Sequence, residues 1–510
     1  MAQEVSIIKS ICRFEPRNFA VGVLIACFVI TFSYFTMVNF DSFHFFVVNS
    51  ASKENVATHR IANSEKLDVA DTMNSKASPI FSKHATTSEE SIQSIVQEID
   101  SDIKEEIKDN TEICNKKPEL CKAGKDTASS KPSISPKQQG DVRINGRNAT
   151  VMWVPSPESD DGPNYERKVW HIKPYPRKED PRAMDPVRMV TVKSVNSPDE
   201  APSCTNHSDL PAIVFSDRGY EDNYFHDFTD VLVPMFTTAR RFQGEVIFLV
   251  SDLTIYRIAK YVRVYKNLTK YDLINFDCDE EVRCYKKVYV GLTSHMDFDI
   301  DPERIPERYT LVDFTRFMRS IYGLKRDTVE IPVPKTLGRK PRLIIVARAK
   351  TRRFVNLDDI IDTAERLGFE VVATEATDGL DRFSLVVNSC DVMMGVHGAG
   401  LSNMVFLPSN SVFIQILPWG DLQWIGDLIK RPAERMKLKY IQYDITPEES
   451  TLIEQYPINH AAFTDPASIQ RNGWGALKEV FLDKQNVRLD IERFKPTLKK
   501  ALEHLNSEHS

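Results

Sequence analysis

The chain has 510 residues, of which 42% are hydrophobic and 27% charged, so it is long enough for two or three domains with sizeable cores. Its 66 lysines and arginines against 72 aspartates and glutamates give a formal net charge of −6. The basic and acidic residues are interspersed, which excludes an overall basic field of the kind that attracts nucleic acid.

The first predicted element is a transmembrane anchor at residues 19–38, a stretch without a charge. A helix of that length spans roughly 30 Å, the thickness of a bilayer core. Basic residues cluster before this stretch and are sparse after it, so we expect residues 1–18 to form a cytosolic tail and the rest to be lumenal. A cleaved signal peptide is the alternative, although the apolar core is long for one.

Residues 39–140 are predicted to form a largely disordered stem. From about Asn49 onward Ser, Thr, Lys and Glu dominate and aromatic residues nearly vanish. Aliphatic residues at helical spacing between Ile92 and Ile107 would suit a short dimerising helix, which is why a homo-oligomer is considered. A marginal helix without a partner fits the same pattern.

Cysteines and glycosylation sequons agree with a lumenal body. Six cysteines follow the anchor, and no CxxC pair among them suggests a zinc site. Spacing does not fix their connectivity. Two close pairs are our disulfide candidates: Cys114 with Cys121, and Cys278 with Cys284. Sequons begin at Asn148, Asn206 and Asn267.

Two α/β halves follow, predicted as an N-terminal domain at 141–325 and a C-terminal domain at 326–510. Strands of the first half are predicted at Pro211–Phe215, Glu245–Val250, Tyr271–Phe276 and Lys286–Leu292, with a helix over 224–242 interrupted by Pro234. Strands of the second half are predicted at 342–348, 369–373, 390–395 and 411–417, with helices at 356–368 and near 381–389. Strands that alternate with helices indicate parallel, doubly wound sheets, which bind ligands beyond the carboxyl ends of their strands.

A glycine turn, Gly395-Val-His-Gly-Ala-Gly400, lies at one such strand end and is predicted to start a helix. Glycines let a backbone approach an oxyanion, and the first amides of a helix attract negative charge. We therefore predict that His397, Gly398, Ala399 and Gly400 form a phosphate site. The glycine order differs from the G-x-G-x-x-G dinucleotide fingerprint, which argues against NAD. The alternatives are glycines that only permit close packing, and a core histidine bonded to backbone.

A basic segment follows the first strand of the same half, with Arg348, Arg352 and Asn356 four residues apart. Arginine is always charged and binds phosphate through two donors at once. A solvated basic loop is the alternative. Because this segment and the glycine turn follow strands of one domain, a diphosphate bound between them explains both.

Three stretches resemble plant members of glycosyltransferase family 61. They are "SCDVMMGVHGAGLSNMVFLPSNSVFIQILPWG", the Arg-x3-Arg-x3-Asn segment and "NYFHDFTDVLVPMF". The similarity runs from about residue 110 to 505. It implies a GT-B fold, in which two Rossmann-like domains face a cleft, and a type II Golgi membrane protein with a lumenal body.

The resemblance also implies the reaction, which is transfer of xylose or arabinofuranose from a UDP-sugar onto xylan. Relatives of other specificity leave two alternatives, an N-glycan β-1,2-xylosyltransferase and an O-linked N-acetylglucosamine transferase. A non-catalytic lumenal scaffold is a further alternative, and a complex with other Golgi transferases is considered.

The expected mechanism is an inverting displacement. Arg348, Arg352, His397 and the turn amides would stabilise the departing UDP, and His226 or Asp227 would act as base. The alternative for these two residues is a helix N-terminus that merely favours carboxylates. Two D-x-D-like runs, at 277–279 and 297–301, are discounted as metal sites, so we expect neither a metal nor a cofactor beyond the donor.

Overall fold

The structure is a computed structural model that describes residues 140–155, 168–220, 223–329, 339–375 and 379–506. These residues belong to one compact unit. The predicted tail, anchor and stem to residue 139 lie outside them, as do Cys114 and Cys121. In the part of the chain that the structure describes, no helix is both long enough and apolar enough to cross a membrane.

The described strands form three sheets. A mixed sheet has the order β3-β4-β2-β1-β9-β5, a parallel sheet β10-β6-β7-β8, and a second parallel sheet β12-β11-β13-β14-β15. The strands of the first two sheets are β1 (Gly140–Asn145), β2 (Thr150–Pro155), β3 (Val169–Ile172), β4 (Val190–Ser194), β5 (Asn206–Ser208), β6 (Ala212–Ser216), β7 (Ile247–Ser251), β8 (Ile274–Asn275), β9 (Val282–Tyr285) and β10 (Val288–Val290). Those of the third are β11 (Arg342–Val346), β12 (Glu370–Thr374), β13 (Val392–Val396), β14 (Val412–Leu417) and β15 (Lys439–Asp444).

Helices cover and connect these sheets. They are α1 (Pro181–Met184), α2 (Tyr224–His226), α3 (Val233–Ala239), α4 (Ile255–Lys260), α5 (Val262–Leu268), α6 (Leu311–Ile321), α7 (Leu357–Leu367), α8 (Leu380–Ser389), α9 (Gln423–Arg435), α10 (Ala461–Thr464), α11 (Pro466–Gln470), α12 (Trp474–Leu477) and α13 (Ile491–Asn506). The architecture is therefore mixed α/β with parallel sheets, as predicted at that level.

The second parallel sheet follows the predicted pattern of alternating strands and helices. Every residue of β13 and β14 is buried, because helices pack on both faces of the sheet. All four predicted strands of this half are present, and β15 adds an unpredicted edge strand. Since all five strands run in parallel, the ends of β11, β13 and β14 lie at one carboxyl edge.

The segment around Pro234 is not a single interrupted helix. Helix α2 passes into a π-helical segment, Asp227–Leu232, which leads into α3. Pro234 lies in the first turn of α3, where its missing N–H is tolerated, and the wider π turn precedes it. The whole π segment is buried.

The predicted disulfide between Cys278 and Cys284 is wrong. Cys284 bonds to Cys204, because β5 pairs with β9 and brings the two Cα atoms to 5.9 Å. Cys278 is itself disulfide-bonded and so does not pair with Cys284. Cys390 is a buried free thiol.

Candidate active site

The glycine turn lies where predicted, at the carboxyl end of β13. The amide of His397 still pairs with the sheet, donating to the carbonyl of Ile416 at 2.9 Å. The residues that follow, Ala399–Phe406, form a 3-10 helix rather than an α-helix. Its first turn is closed by Leu401 N–H donating to the carbonyl of Gly398, so the amides of residues 399 and 400 have no acceptor inside the helix.

Gly398 is the glycine that the local structure requires. Its φ is +154°, and a Cβ there would lie 2.9 Å from Nη1 of both Arg348 and Arg352. A hydrogen side chain is what lets two guanidiniums lie against the turn. Gly400 differs, because its Cβ would meet only Val346 Cγ1 at an ordinary 3.6 Å.

Arg348 and Arg352 bring two positive charges to this turn. Arg352 donates from Nη1 to the carbonyl of His397 at 3.0 Å, while its buried Nε has no partner among the described residues. Arg348 donates from Nε to the carbonyl of Thr351 at 2.8 Å. Neither guanidinium forms an ion pair within the described structure, and Asp483, whose field reaches both, is paired with Lys478.

The cost of burying these charges appears in their pKa values. Burial lowers the pKa of Arg348, and burial together with Arg348 lowers the pKa of Arg352 to about 10. Both groups are still protonated at neutral pH. Arg352 also holds a left-handed backbone with φ of 54°, which a residue other than glycine seldom adopts. Uncompensated positive charge and local strain at one turn are typical of an anion-binding site.

His397 completes the group. The residue is 7% exposed, and its Nδ1 is buried without a hydrogen-bond partner in the described structure. Burial, Arg352 and Arg348 lower the pKa of the imidazole to about 3, so the ring is neutral in the free protein. A core histidine satisfied by backbone would have a partner for Nδ1. The unpaired nitrogen instead favours a ligand.

Asn356, the third residue of the predicted basic segment, binds the backbone of Leu489 rather than the glycine turn. Its side-chain amide donates to the carbonyl of Leu489 at 2.9 Å and accepts from the amide of Leu489 at 3.1 Å. It precedes α7 but does not cap it with its side chain, and its amide group is occupied. Lys350 and Arg353, the other two cations of the segment, are exposed, so the segment contributes Arg348 and Arg352 to the turn.

Gln485 is a support that sequence reasoning missed. It is fully buried, and its carbonyl accepts the amide of Arg352 at 2.9 Å, which fixes the strained residue. Its side chain holds the backbone of Trp419, accepting from N–H at 2.9 Å and donating to the carbonyl at 3.0 Å. A buried glutamine 133 positions beyond its partner leaves no local sequence signal.

A second group of polar side chains surrounds His226, the last residue of α2. Its Nδ1 lies 3.0 Å from Oδ2 of Asp230, one turn later in the buried π segment. The same oxygen accepts hydrogen bonds from Arg177 Nε at 2.8 Å and from the Tyr175 hydroxyl at 2.7 Å. Arg177 Nε also donates towards Nδ1 of His226, at 3.2 Å, and the contact of Nδ1 with the carboxylate is the shorter of the two. Because a carboxylate only accepts, we assign the Nδ1–H tautomer, which leaves Nε2 as the base. The side chain of His226 is 16% exposed, and Tyr220 packs on it with ring centroids 4.3 Å apart.

Asp227 does not share this environment. It is 1% exposed and receives Arg257 Nη2 at 3.1 Å, Lys260 Nζ at 2.8 Å and the Tyr261 hydroxyl. The two cations and the hydroxyl occupy this carboxylate, so Asp227 is placed to stabilise the fold rather than to meet an acceptor. Asp230 therefore replaces Asp227 beside His226, and the i to i+4 spacing was the available signal.

Two hydrogen bonds connect the group around His226 to the glycine turn. The hydroxyl of Tyr224, two residues before His226, donates to Asn403 Oδ1 at 2.7 Å. Asn403 in turn donates to the carbonyl of Gly400 at 2.9 Å. The helix that carries the base is thereby tied to the turn that carries the positive charge.

The D-x-D-like aspartates have other partners. Asp277 accepts from Arg188 at 2.6 Å, Asp279 from Arg283 at 2.6 Å and Asp297 from Arg177 at 2.8 Å. Asp299 is paired with Arg435 at 3.4 Å, and Asp301 caps a short helix. One group of described residues has metal-ligand spacing, namely Cys204, His207 and Cys284, but its thiols form the disulfide.

Known proteins resemble the chain in sequence. The family described as Glycosyltransferase 61 matches residues 224–414, which run from the helix of His226 through the glycine turn into β14. Alpha-1,3-arabinosyltransferase XAT2 of Oryza sativa subsp. japonica is 45% identical over 416 residues, covering 80% of this chain and 68% of that protein. Beta-1,2-xylosyltransferase XYXT1 of the same organism is 43% identical over 375 residues, covering 71% and 80%. Xylan glycosyltransferase MUCI21 of Arabidopsis thaliana is 31% identical over 375 residues, covering 71% and 75%.

The identities and the shares of the chains that they cover establish the family. The matched span also contains His226, the two arginines and the glycine turn. The chain is a glycosyltransferase and belongs to glycosyltransferase family 61.

Proposed function

We propose that the chain transfers a pentose, xylose or arabinofuranose, from a UDP-sugar onto xylan. The observation that carries the proposal is the group of Arg348, Arg352 and His397 at the glycine turn. Within the described residues neither arginine forms an ion pair, and Nδ1 of His397 has no hydrogen-bond partner. A diphosphate supplies the missing negative charge. The choice of sugar and acceptor rests on the relatives, whose names specify arabinosyl, xylosyl and xylan transfer.

The mechanism is a single displacement in a GT-B arrangement, with the donor on the C-terminal half and the acceptor on the N-terminal half. An acceptor hydroxyl oxygen forms a bond to C1 of the pentose while the bond from C1 to the β-phosphate oxygen breaks. The hydroxyl proton passes to Nε2 of His226, and UDP leaves with the bonding electron pair. Asp230 stabilises the imidazolium, the two arginines and the turn amides stabilise the leaving diphosphate, and the anomeric configuration inverts.

Divalent metal is not required in this proposal, because the arginines provide the charge that a cation otherwise supplies. The arginine partners of Asp277, Asp279, Asp297 and Asp299 support it. We expect the rate of transfer to be unchanged in excess EDTA. Loss of activity on chelation and recovery with manganese would contradict this part.

The proposed setting is the Golgi lumen, with residues 19–38 as a type II anchor and an association with itself or with other transferases. The pattern of charge around the anchor and the sequons support this setting, and the disulfide Cys204–Cys284 suits an oxidising compartment.

The test is a donor and acceptor matrix with the full chain. UDP-xylose, UDP-arabinofuranose and UDP-N-acetylglucosamine are each offered with xylo-oligosaccharides and with an N-glycan, and the linkage of any product is determined. A pentose on the xylo-oligosaccharide is the expected result. Transfer only to the N-glycan, transfer of N-acetylglucosamine, or binding without product would each replace the proposal with one of its alternatives.

A further inference from the structure

Two indole rings stand exposed on the C-terminal half. Trp424, in the first turn of α9, is 51% exposed, and Trp474, which begins α12, is 40% exposed. Their ring centroids are 6.3 Å apart, and the ring planes are inclined by 66°. Large aromatic side chains are normally covered, so a pair of them in solvent indicates a binding surface.

Hydrogen bonds hold Trp424 in place. Trp424 donates from Nε1 to Gln470 Oε1 at 3.4 Å. Gln470 also donates from Nε2 to the carbonyls of Gly420 at 2.6 Å and Asp421 at 3.2 Å, which ties the loop before α9 to α11. The polar atom of the Trp424 indole is thus occupied by protein, and its apolar faces are what a ligand can contact. A fixed ring loses little conformational entropy on binding.

The surface lies at the same sheet edge as the phosphate site. Strand β14 is the immediate neighbour of β13, and the chain passes from the end of β14 through Trp419 to α9. Gln485 connects the phosphate site to this surface. Its carbonyl accepts the amide of Arg352, and its side chain holds the backbone of Trp419. The indole pair is therefore attached to the rigid support of the arginine group.

The rim of the surface offers amides and carboxylates. Gln423, adjacent to Trp424, donates to Asp427 Oδ1 at 3.0 Å and accepts from Gln442 Nε2 at 2.7 Å. Gln442 also donates to Asp444 Oδ1 at 2.7 Å. Such groups exchange hydrogen bonds with hydroxyls. Aromatic faces for the C–H faces of sugar rings, beside amide and carboxylate groups, are the two requirements of carbohydrate binding.

We propose that Trp424 and Trp474 form a subsite for the acceptor polysaccharide, where sugars beyond the modified one leave the N-terminal half and extend across the C-terminal half. The inference rests on the proposed function, because it takes the acceptor to be a β-1,4-linked xylose chain. Xylose lacks the hydroxymethyl group that helps to keep cellulose flat, so neighbouring xylose rings are rotated about the chain. Two indoles inclined to each other and about one sugar length apart match a twisted chain better than a flat one.

Binding and transfer by the full chain are measured for Trp424→Ala, Trp474→Ala and the double variant. For a long xylo-oligosaccharide we expect the double variant to bind about tenfold more weakly and its KM to rise correspondingly, with kcat unchanged. A short xylo-oligosaccharide, which does not reach the subsite, should be used as by the parent, and UDP binding should be unaltered. Trp474→Tyr keeps a ring and should restore binding. Tyr271→Ala removes an aromatic that is also 40% exposed, three residues before β8, and is the matched control.

Several results would overturn the subsite. The double variant could bind long xylo-oligosaccharides like the parent, could lose short and long acceptors equally, or the parent could bind cello-oligosaccharides as tightly as xylo-oligosaccharides. The proposed function fails separately: a parent that binds xylan through the indoles but transfers no pentose retains the subsite and loses the activity. A parent that transfers pentose while the indole variants bind normally does the reverse. Melting temperatures of all variants report on folding.

Discussion

At the scale of single residues, the candidate site is defined by groups that lack partners. A buried arginine is ordinarily paired, because an unpaired charge in the protein interior is costly. Arg352 instead carries an unpaired Nε beside an unpaired Nδ1 of His397. The fold tolerates this arrangement because Gln485 and Gly398 fix its geometry, and a ligand of opposite charge removes the penalty.

The two glycines of the turn make separable predictions. In Gly398→Ala the new Cβ overlaps both guanidiniums at 2.9 Å and the backbone is strained at φ +154°, so we expect the arginines to be displaced and UDP affinity to fall about tenfold or more. In Gly400→Ala the added methyl has room in the free protein. That variant should be as stable as the parent, and it serves as the matched control. UDP titration and thermal melting decide, and equal affinity in Gly398→Ala and the parent would contradict the arrangement.

The bulkier Gly400→Val tests the backbone amides. Its side chain adds bulk beside the amides of residues 399 and 400, so we expect it to abolish UDP binding while the protein remains folded. If this variant binds UDP normally, the amides at 399 and 400 do not contact the diphosphate.

His397 should make donor binding depend on pH. Its pKa is lowered to about 3 in the free protein by burial and by Arg352 and Arg348. A bound diphosphate raises that pKa, and a ligand that raises a pKa binds more tightly as pH falls towards the raised value. We therefore expect affinity for a UDP-sugar to rise as pH falls from neutral, with proton uptake on binding. The stability of the free protein falls from about pH 6.5 down to about 3, because the unfolded chain binds the proton first.

Calorimetry in buffers of different ionisation enthalpy measures the proton uptake. His397→Gln should remove it and should lower catalytic efficiency about ten- to hundredfold, the loss of one charge-assisted hydrogen bond. A parent that takes up no proton, or a variant with the same pH dependence, would show that the ring does not face the diphosphate.

Substitutions at His226 and its two acidic neighbours separate chemistry from stability. His226→Gln should lower kcat about 10²- to 10⁴-fold with little change in UDP affinity, because only the base is lost. Asp230→Asn should lower kcat less and alter its pH profile, since the orienting carboxylate is removed. Asp227→Asn should lower the melting temperature with a smaller effect on kcat, because the ion pairs of Asp227 with Arg257 and Lys260 are lost. Near-parental kcat in His226→Gln would assign the base elsewhere.

At the scale of elements, the strands that are buried on both faces are the ones that the sequence predicts. Strands β13 and β14 are covered on both faces, so they read as uninterrupted apolar runs and were predicted with their connecting helix. Strand β5 has three half-buried residues, and β4 alternates buried with half-buried positions. Those segments become strands only through pairing with distant partners, so the mixed sheet was not predicted.

The site shows the same division. Arg348, Arg352 and the turn were predictable because chain-local patterns place them after parallel strands. The roles of Asp230, Gln485 and Asn356 depend on contacts between segments far apart in the chain or on a π turn, and local spacing does not encode them.

The disulfide between β5 and β9 is an element-scale prediction. It closes a loop of 80 residues, and a cross-link of that span stabilises by roughly 4 kcal/mol through the unfolded chain. Replacing Cys204 and Cys284 together by Ser should lower the free energy of unfolding by a substantial part of that amount. Cys390→Ala, which removes a free thiol, is the control. Denaturant unfolding that gives the parental value for the double variant would contradict a structural role.

At the scale of the whole molecule, the described residues lie in the lumen if residues 19–38 span the membrane. The asparagines of the three sequons differ in how exposed they are. Asn148, in the turn between β1 and β2, and Asn267, near the end of α5, are exposed. Asn206 is half-buried in β5, and its amide donates to Glu281 at 3.2 Å. The amide of Asn267 also has an acceptor, the carbonyl of Arg263 at 2.9 Å, so exposure and not hydrogen bonding separates the three sequons. An acceptor asparagine must lie on the surface.

We therefore expect glycans at Asn148 and Asn267 and a lower occupancy at Asn206. Each asparagine is replaced by Gln, and the gel mobility of the full chain is compared before and after peptide N-glycosidase. The first two variants should each migrate faster by one glycan, the third should differ less, and the triple variant should be insensitive to the enzyme. Protease added to sealed microsomes should leave the body intact. Digestion from the cytosolic side, or a parent without any glycan, would place the body in the cytosol and overturn the proposed setting, because acceptor xylan and the anchored body must share one compartment.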